Sequence, residues 1–122
     1  MATIKNFSGQ ILLFIENNKI KNFPMQVLYF IDNKSLEDFY YRIQYKIDGE
    51  MITDFYGRKL YKFDGTTFKN FYGTILYFIK GEWITDFYGR FLYRIDGSLS
   101  YNEKAFLLTL IDRGDLDDII KK

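Results

Sequence analysis

Sixteen carboxylates, five arginines and eleven tyrosines are the reactive or recognition-bearing groups of this 122-residue chain, which has neither histidine nor cysteine. Without histidine the usual general base, the serine and cysteine triads and nearly all zinc sites fall away. Without cysteine there are no disulfides and no thiolate chemistry. Carboxylate chemistry remains. A glycosidase, however, needs two carboxyls in unlike environments, and most aspartates here recur in equivalent places and should titrate alike. Asp112, Asp115, Asp117 and Asp118 crowd the C-terminal end without the loop spacing or sixth-place glycine of a calcium hand, so they read as a solvated acidic helix end. Phosphate-binding glycine patterns are absent. The expectation is a protein that is not an enzyme and takes no metal or cofactor.

The remaining chemistry is repeated. Six tandem units of 16 residues begin at Ile4, Ile20, Leu36, Ile52, Phe68 and Ile84, and the fourth, ITDFYGRKLYKFDGTT, nearly equals the sixth, ITDFYGRFLYRIDGSL. A motif copied six times builds a scaffold or a surface, whereas catalysis needs one asymmetric constellation. Two kinds of unit alternate irregularly. Those starting at Ile4, Ile20 and Phe68 read IKNF or FKNF with Gln10, Gln26 or Thr74 after the turn; the other three carry Asp38, Asp54 and Asp86 with Arg42, Arg58 and Arg90 four residues on. Asp appears only where Arg does, which reads first as an ion pair across each turn, worth about 0 to 1 kcal/mol on an exposed edge.

Each unit divides into two octads, room for one short strand and one tight turn. Ile, Leu, Phe, Tyr and Thr fill the strand places. Eight of the nine glycines fall at the sixth place of an octad, where the chain demands positive φ; Asn17 and Asn33 are tolerable substitutes, while Met25 and Tyr41 predict irregular turns. Such short connections forbid parallel crossovers. The expected fold is therefore all-β: an antiparallel meander of about twelve strands over residues 4–99, with a two-strand-per-coil solenoid as the rival. Both arrangements give ladders of like residues, Phe7, Phe23, Phe39, Phe55, Phe71 and Phe87 in one and Tyr29, Tyr45, Tyr61, Tyr77 and Tyr93 in another. The phenylalanine ladder reads as packed. Asp-Gly at Asp48, Asp64 and Asp96 favours the hairpin meander.

Ile52 and Phe55, like Leu60 and Phe63, should face opposite sides of a strand, so both sheet faces are partly apolar and something must cover the second: the sheet's own curl, the C-terminal segment, or a partner. Residues 100–122 are a candidate. Ser100 and Glu103 stand in capping-box spacing, Phe106, Leu107, Leu110 and Ile111 share one side of an amphipathic helix, and Gly114 is a stop, followed by a short helical turn in DLDDIIKK capped by Asp115. The whole chain, 1–122, is expected to be a single domain.

Alternate turns of a meander lie on opposite rims. One rim then collects Tyr40, Arg42, Tyr56, Arg58, Tyr72, Tyr88 and Arg90; the other collects Glu16, Asp32, Asp48, Glu50, Asp64, Glu82 and Asp96 against Lys34 and Lys80. Tyr and Arg commonly anchor protein interfaces, which makes the first rim the candidate partner-binding site. The formal charge of +1 argues against nucleic acid and acidic membranes, despite the basic-aromatic runs RKLYKF and RFLYRI. No apolar run approaches about 18 residues and no export signal is legible, so a cytoplasmic location is expected.

The segment YKIDGEMITDFYGRKLYKFDG resembles short bacterial proteins built from tandem YxIDG units, over roughly residues 28 to 99. That resemblance implies a repetitive β protein and attaches no activity. The aromatic and glycine punctuation is also similar to that of cell-wall-binding repeats, which are Trp-rich and secreted, whereas this chain has only Trp83. The expected function is a protein-binding module, in its most specific form an inhibitor or immunity protein for a bacterial toxin. A carbohydrate or cell-surface binder and a self-assembling structural protein joined by its sheet edges are the alternatives.

Overall fold

Each octad becomes one strand and one turn. In the computed structural model, which describes residues 1–117, the strands are β1 (Ala2–Asn6), β2 (Ile11–Glu16), β3 (Lys19–Asn22), β4 (Val27–Asp32), β5 (Ser35–Asp38), β6 (Ile43–Asp48), β7 (Met51–Asp54), β8 (Lys59–Phe63), β9 (Thr67–Asn70), β10 (Ile75–Lys80), β11 (Trp83–Asp86) and β12 (Phe91–Asp96). One helix, α1 (Tyr101–Arg113), follows. Every strand pairs antiparallel with its neighbour in sequence, so the meander forms and the solenoid does not.

The sheet closes. β1 pairs with β12 through Thr3↔Asp96, Ile4↔Ile95, Lys5↔Arg94 and Asn6↔Tyr93, making a twelve-stranded barrel. An ion pair from Lys5 Nζ to Asp96 Oδ2, at 2.9 Å, spans this seam on the outer surface. Curvature comes from a bulge repeated once per 16 residues, where the ladder skips Leu12, Leu28, Gln44, Leu60, Leu76 and Leu92 in turn. A bulge adds local twist and bend, and six at equivalent places curl the sheet evenly. Closure removes the free edges, and with them the edge-to-edge route to self-assembly considered from the sequence.

Inward positions carry the core. Ile4, Ile20, Leu36, Ile52, Phe68 and Ile84 from the odd strands are buried, as are Ile15, Ile31, Ile47, Phe63, Ile79 and Ile95 from the even ones. Helix α1 begins with the expected capping box: the Ser100 hydroxyl accepts from the Glu103 amide, and the Glu103 carboxylate accepts from the Ser100 amide. Gly114 at φ 79° closes it. The helix is covered on every side, not along one stripe. All seven consecutive residues from Ala105 to Ile111 are buried, and seven residues at 3.6 per turn sweep all directions around the axis. A helix lying on one face of a sheet would leave its far side wet. Its polar contacts also point outward in several directions: the Asn102 amide donates to the Asn33 carbonyl, the Tyr101 hydroxyl lies between the carbonyl oxygens of Gly49 and Phe63, and Asp112 and Asp115 accept from tyrosines of β6, β8 and β10. The helix therefore fills the barrel. Eight strands fill their own interior with side chains, and twelve leave a lumen wide enough for a helix roughly 10–12 Å across.

Two further expectations are corrected. The column from Phe7 to Phe87 is exposed, at 51–67% of each residue's surface. These residues lie just past the strand ends, in turns, where strand alternation no longer assigns a face. The turns at Met25 and Tyr41 are regular, for both residues adopt the left-handed backbone (φ 78° and 64°) and make the same bond as Gly57 does. Of the helical turn read in 115–122, residues 115–117 are described, with the Asp117 amide donating to the Gly114 carbonyl and Leu116 buried, and the rest lies outside the described residues.

Candidate functional site

All six turns that join an odd strand to the following even strand gather at one mouth of the barrel. Each is built alike. An Asn or Asp at its first position (Asn6, Asn22, Asp38, Asp54, Asn70, Asp86) accepts at its carbonyl the amide of the residue three places on, and donates its own amide to the carbonyl four places on. Its side chain completes the turn. Asp54 Oδ1 accepts the amides of Tyr56 and Arg58, and Asp38, Asn70 and Asp86 repeat the pattern. Such Asx bonding fixes the turn through the backbone, so the residues between are free to present their side chains.

This geometry explains why Asp and Arg exchange together. In two of the three turns where Asn stands first, its amide bonds Gln: Asn6 Nδ2 to Gln10 Oε1 at 3.2 Å and Asn22 Nδ2 to Gln26 Oε1 at 3.1 Å; the third, Asn70, faces Thr74. Where Asp stands first, the guanidinium of Arg42, Arg58 or Arg90 donates from Nε to the second carboxylate oxygen, at 2.8, 2.5 and 2.5 Å. The ion pair across each turn read from the sequence is thus present. Partial desolvation raises the carboxyls of Asp38, Asp54 and Asp86, but the Arg amide and guanidinium with the Tyr amide outweigh it and hold all three below the ordinary aspartate value. The arginine side chains remain 71–76% exposed while their aspartates are only 13–16% exposed. Solvent meets the cation, with the anion tucked behind it.

The seven residues named from the sequence, Tyr40, Arg42, Tyr56, Arg58, Tyr72, Tyr88 and Arg90, all stand on this mouth, over the four successive hairpins from β5–β6 to β11–β12. Tyr40, Tyr56, Tyr72 and Tyr88 are 73–89% exposed. Arg42, Arg58 and Arg90 lie over the rings of Tyr40, Tyr56 and Tyr88, 5.3–5.8 Å from their centres. Each turn phenylalanine meets the tyrosine beside it edge-on, at 5.2–5.8 Å. The remaining two hairpins carry Ser8 and Pro24 in place of tyrosine, which leaves the crown a sector and not a full ring. Tyr41, stacked on Phe30 at 5.1 Å, also belongs to it. Its place after Tyr40 was a signal in the sequence, overlooked because four of the six equivalent positions are glycine.

Inside the same mouth lies a second cluster that the sequence reading missed. The tyrosines of the other ladder point inward over the C-terminal end of α1: Tyr45 donates to Asp115 at 2.7 Å, Tyr61 to Asp112 at 2.5 Å, and Tyr77 to Asp112 at 3.3 Å. Arg113 faces the hydroxyls of Tyr45 and Tyr61. Burial above all, then the neighbouring carboxylates, pushes the hydroxyls of Tyr45, Tyr61 and Tyr77 well above their ordinary value, and Tyr29 up to about 12. Asp112 and Asp115 thus accept hydrogen bonds from tyrosines of the barrel wall while staying exposed at the mouth, so the acidic helix end is solvated as expected and is tied to the wall as well. A cleft of about 300 Å³ beside them is lined by Leu60, Tyr61, Leu76, Asp112 and Arg113 and opens under Phe71 and Tyr72.

The opposite mouth differs. Asp32, Asp48, Glu50, Asp64, Glu82 and Asp96 stand there, exposed, with Lys34 and Lys80. Among the described residues no group of three or more acidic side chains is placed to hold a metal ion, and no helix is long and apolar enough to cross a membrane. Compared with known protein families, with curated proteins and with solved structures, the chain gives no match.

Proposed function

We propose that this protein is a non-enzymatic binding module that holds another protein on its Tyr/Arg crown, and in its most specific form a cytoplasmic inhibitor or immunity protein for a bacterial toxin. One observation carries the reading. Among the described residues, fourteen large apolar side chains are substantially exposed, and all but Met1 lie at this one mouth, in its six turns or, for Phe91, directly after one. Scattered apolar exposure is ordinary, but a patch sorted to one end is the mark of a contact surface. Tyr and Arg add stiff area and directed donors, the composition of interface hot spots. On the outer wall, where Lys46 and Lys62 are exposed and Lys5, Lys21 and Lys69 half-buried, no further large apolar side chain among the described residues is exposed.

Changing Tyr56, Arg58, Tyr88 and Arg90 together to alanine should abolish partner capture from the native cytoplasm. The thermal midpoint should move only a few degrees, since exposed positions contribute little to stability. Capture at the wild-type level by the folded variant would end the proposal. Binding on a glycan array that disappears in the same variant would assign the crown to carbohydrate instead.

A further inference from the structure

We infer that the crown is a receptor for carboxylate groups, so that the face it holds is an acidic protein surface; this rests on the docking role proposed above and specifies its partner. Each of Arg42, Arg58 and Arg90 uses Nε to bind its own aspartate, and no described residue accepts from its two amino nitrogens. The bond at Nε and the tyrosine ring beneath fix the plane of the guanidinium. Its outer edge therefore stands free and oriented, the geometry that meets a planar anion with two parallel bonds. Because each paired aspartate is largely covered, the local field at the tip is cationic although the turn is neutral overall.

Position sharpens the inference. Arg42 and Arg58 sit on neighbouring hairpins, about 10 Å apart at two strand spacings, and Arg90 lies two hairpins beyond Arg58. Carboxylates must approach along this perimeter, because the centre of the mouth already holds Asp112 and Asp115. A nucleic acid fits less well: the chain carries a formal charge of only +1, and its far mouth is acidic, so an extended polyanion meets repulsion beyond the crown.

The barrel supplies its own control. Exchanging Asp38, Asp54 and Asp86 for Asn and Arg42, Arg58 and Arg90 for Gln recreates at three hairpins the Asn–Gln pair that Asn6 and Gln10 already make. Three negative and three positive charges are lost together, so the net charge stays unchanged and every tyrosine remains. The wild type and this six-fold variant are titrated with poly-L-glutamate, poly-L-lysine and an oligothymidylate, following the arginine side-chain NMR signals and binding isotherms. Poly-L-glutamate should shift the signals of Arg42, Arg58 and Arg90, bind about tenfold or more weakly to the variant, and weaken as salt rises. Poly-L-lysine should not bind at the crown. Equal affinity of variant and wild type for poly-L-glutamate, or tighter binding of the oligothymidylate than of poly-L-glutamate, would overturn the inference. If the variant still captures the native partner while the tyrosine and arginine to alanine variant does not, the docking role stands and the acidic partner falls.

Discussion

Phe106 and Phe55 are chemically identical side chains that the fold places at opposite extremes, and truncating each to alanine measures the architecture. Phe106 is fully buried on α1, between the helix and the barrel wall. Removing a buried phenylalanine costs about 3–5 kcal/mol, through lost burial and the cavity left behind. The upper part of that range is expected, because a closed ring of paired strands cannot collapse inward to fill the void. Phe55 is 51% exposed and loses only an edge-on contact with Tyr56 and a cation contact with Lys46. Contacts of that kind at the surface contribute about 0.5–1 kcal/mol. A chain of 122 residues is expected to have about 6–18 kcal/mol in total, so Phe106→Ala should remove a large share and Phe55→Ala almost none. Urea denaturation of both variants, with unchanged slopes, gives the two losses from the midpoints. Losses within about 1 kcal/mol of each other, or a Phe106→Ala loss below about 1 kcal/mol, would refute the placement of the helix.

Other outcomes follow from the same structure. Tyr29, Tyr45, Tyr61, Tyr77, Tyr93 and Tyr101 have hydroxyls raised above the ordinary value by burial and nearby carboxylates, so the folded state keeps protons that the unfolded chain releases. Their contribution to stability is present below about pH 10 and is lost as pH rises through the folded-state values. Tyrosinate absorbance should accordingly show these six ionising together with loss of the fold; independent ionisation before unfolding would contradict this. Met25→Gly should raise the thermal midpoint by a degree or more, since relief of a left-handed backbone, about 1–2 kcal/mol, exceeds the glycine entropy cost of about 0.4–1 kcal/mol. Gly57→Val, at φ 83°, should lower it.

What was legible in the sequence was what is local. The octad of apolar strand and glycine turn, the antiparallel order, the sorting of unlike turns to opposite mouths and both caps of α1 are each fixed by a few adjacent residues. Closure was not legible, because it depends on the pairing of Ile4 with Ile95 at opposite ends of the chain and on bulges that Leu12, Leu28 and their equivalents do not announce by type. The bulge also explains why Leu60 and Phe63 both reach the core although three residues apart: the extra residue breaks the alternation of faces. The candidate crown was legible residue by residue, since Tyr and Arg recur at fixed turn places. Its inner counterpart was not, because Tyr61 and Asp112 meet only when a helix enters a lumen that no local pattern reveals.

The most direct test of the account is solvent paramagnetic relaxation with a soluble gadolinium chelate. A helix enclosed by the barrel predicts uniformly weak enhancement at every residue from Ala105 to Ile111, together with strong enhancement at Phe7, Phe23, Phe39, Phe55, Phe71 and Phe87 along the crown. Enhancement rising and falling every three to four residues along α1, as on a helix lying against an open sheet, would contradict it.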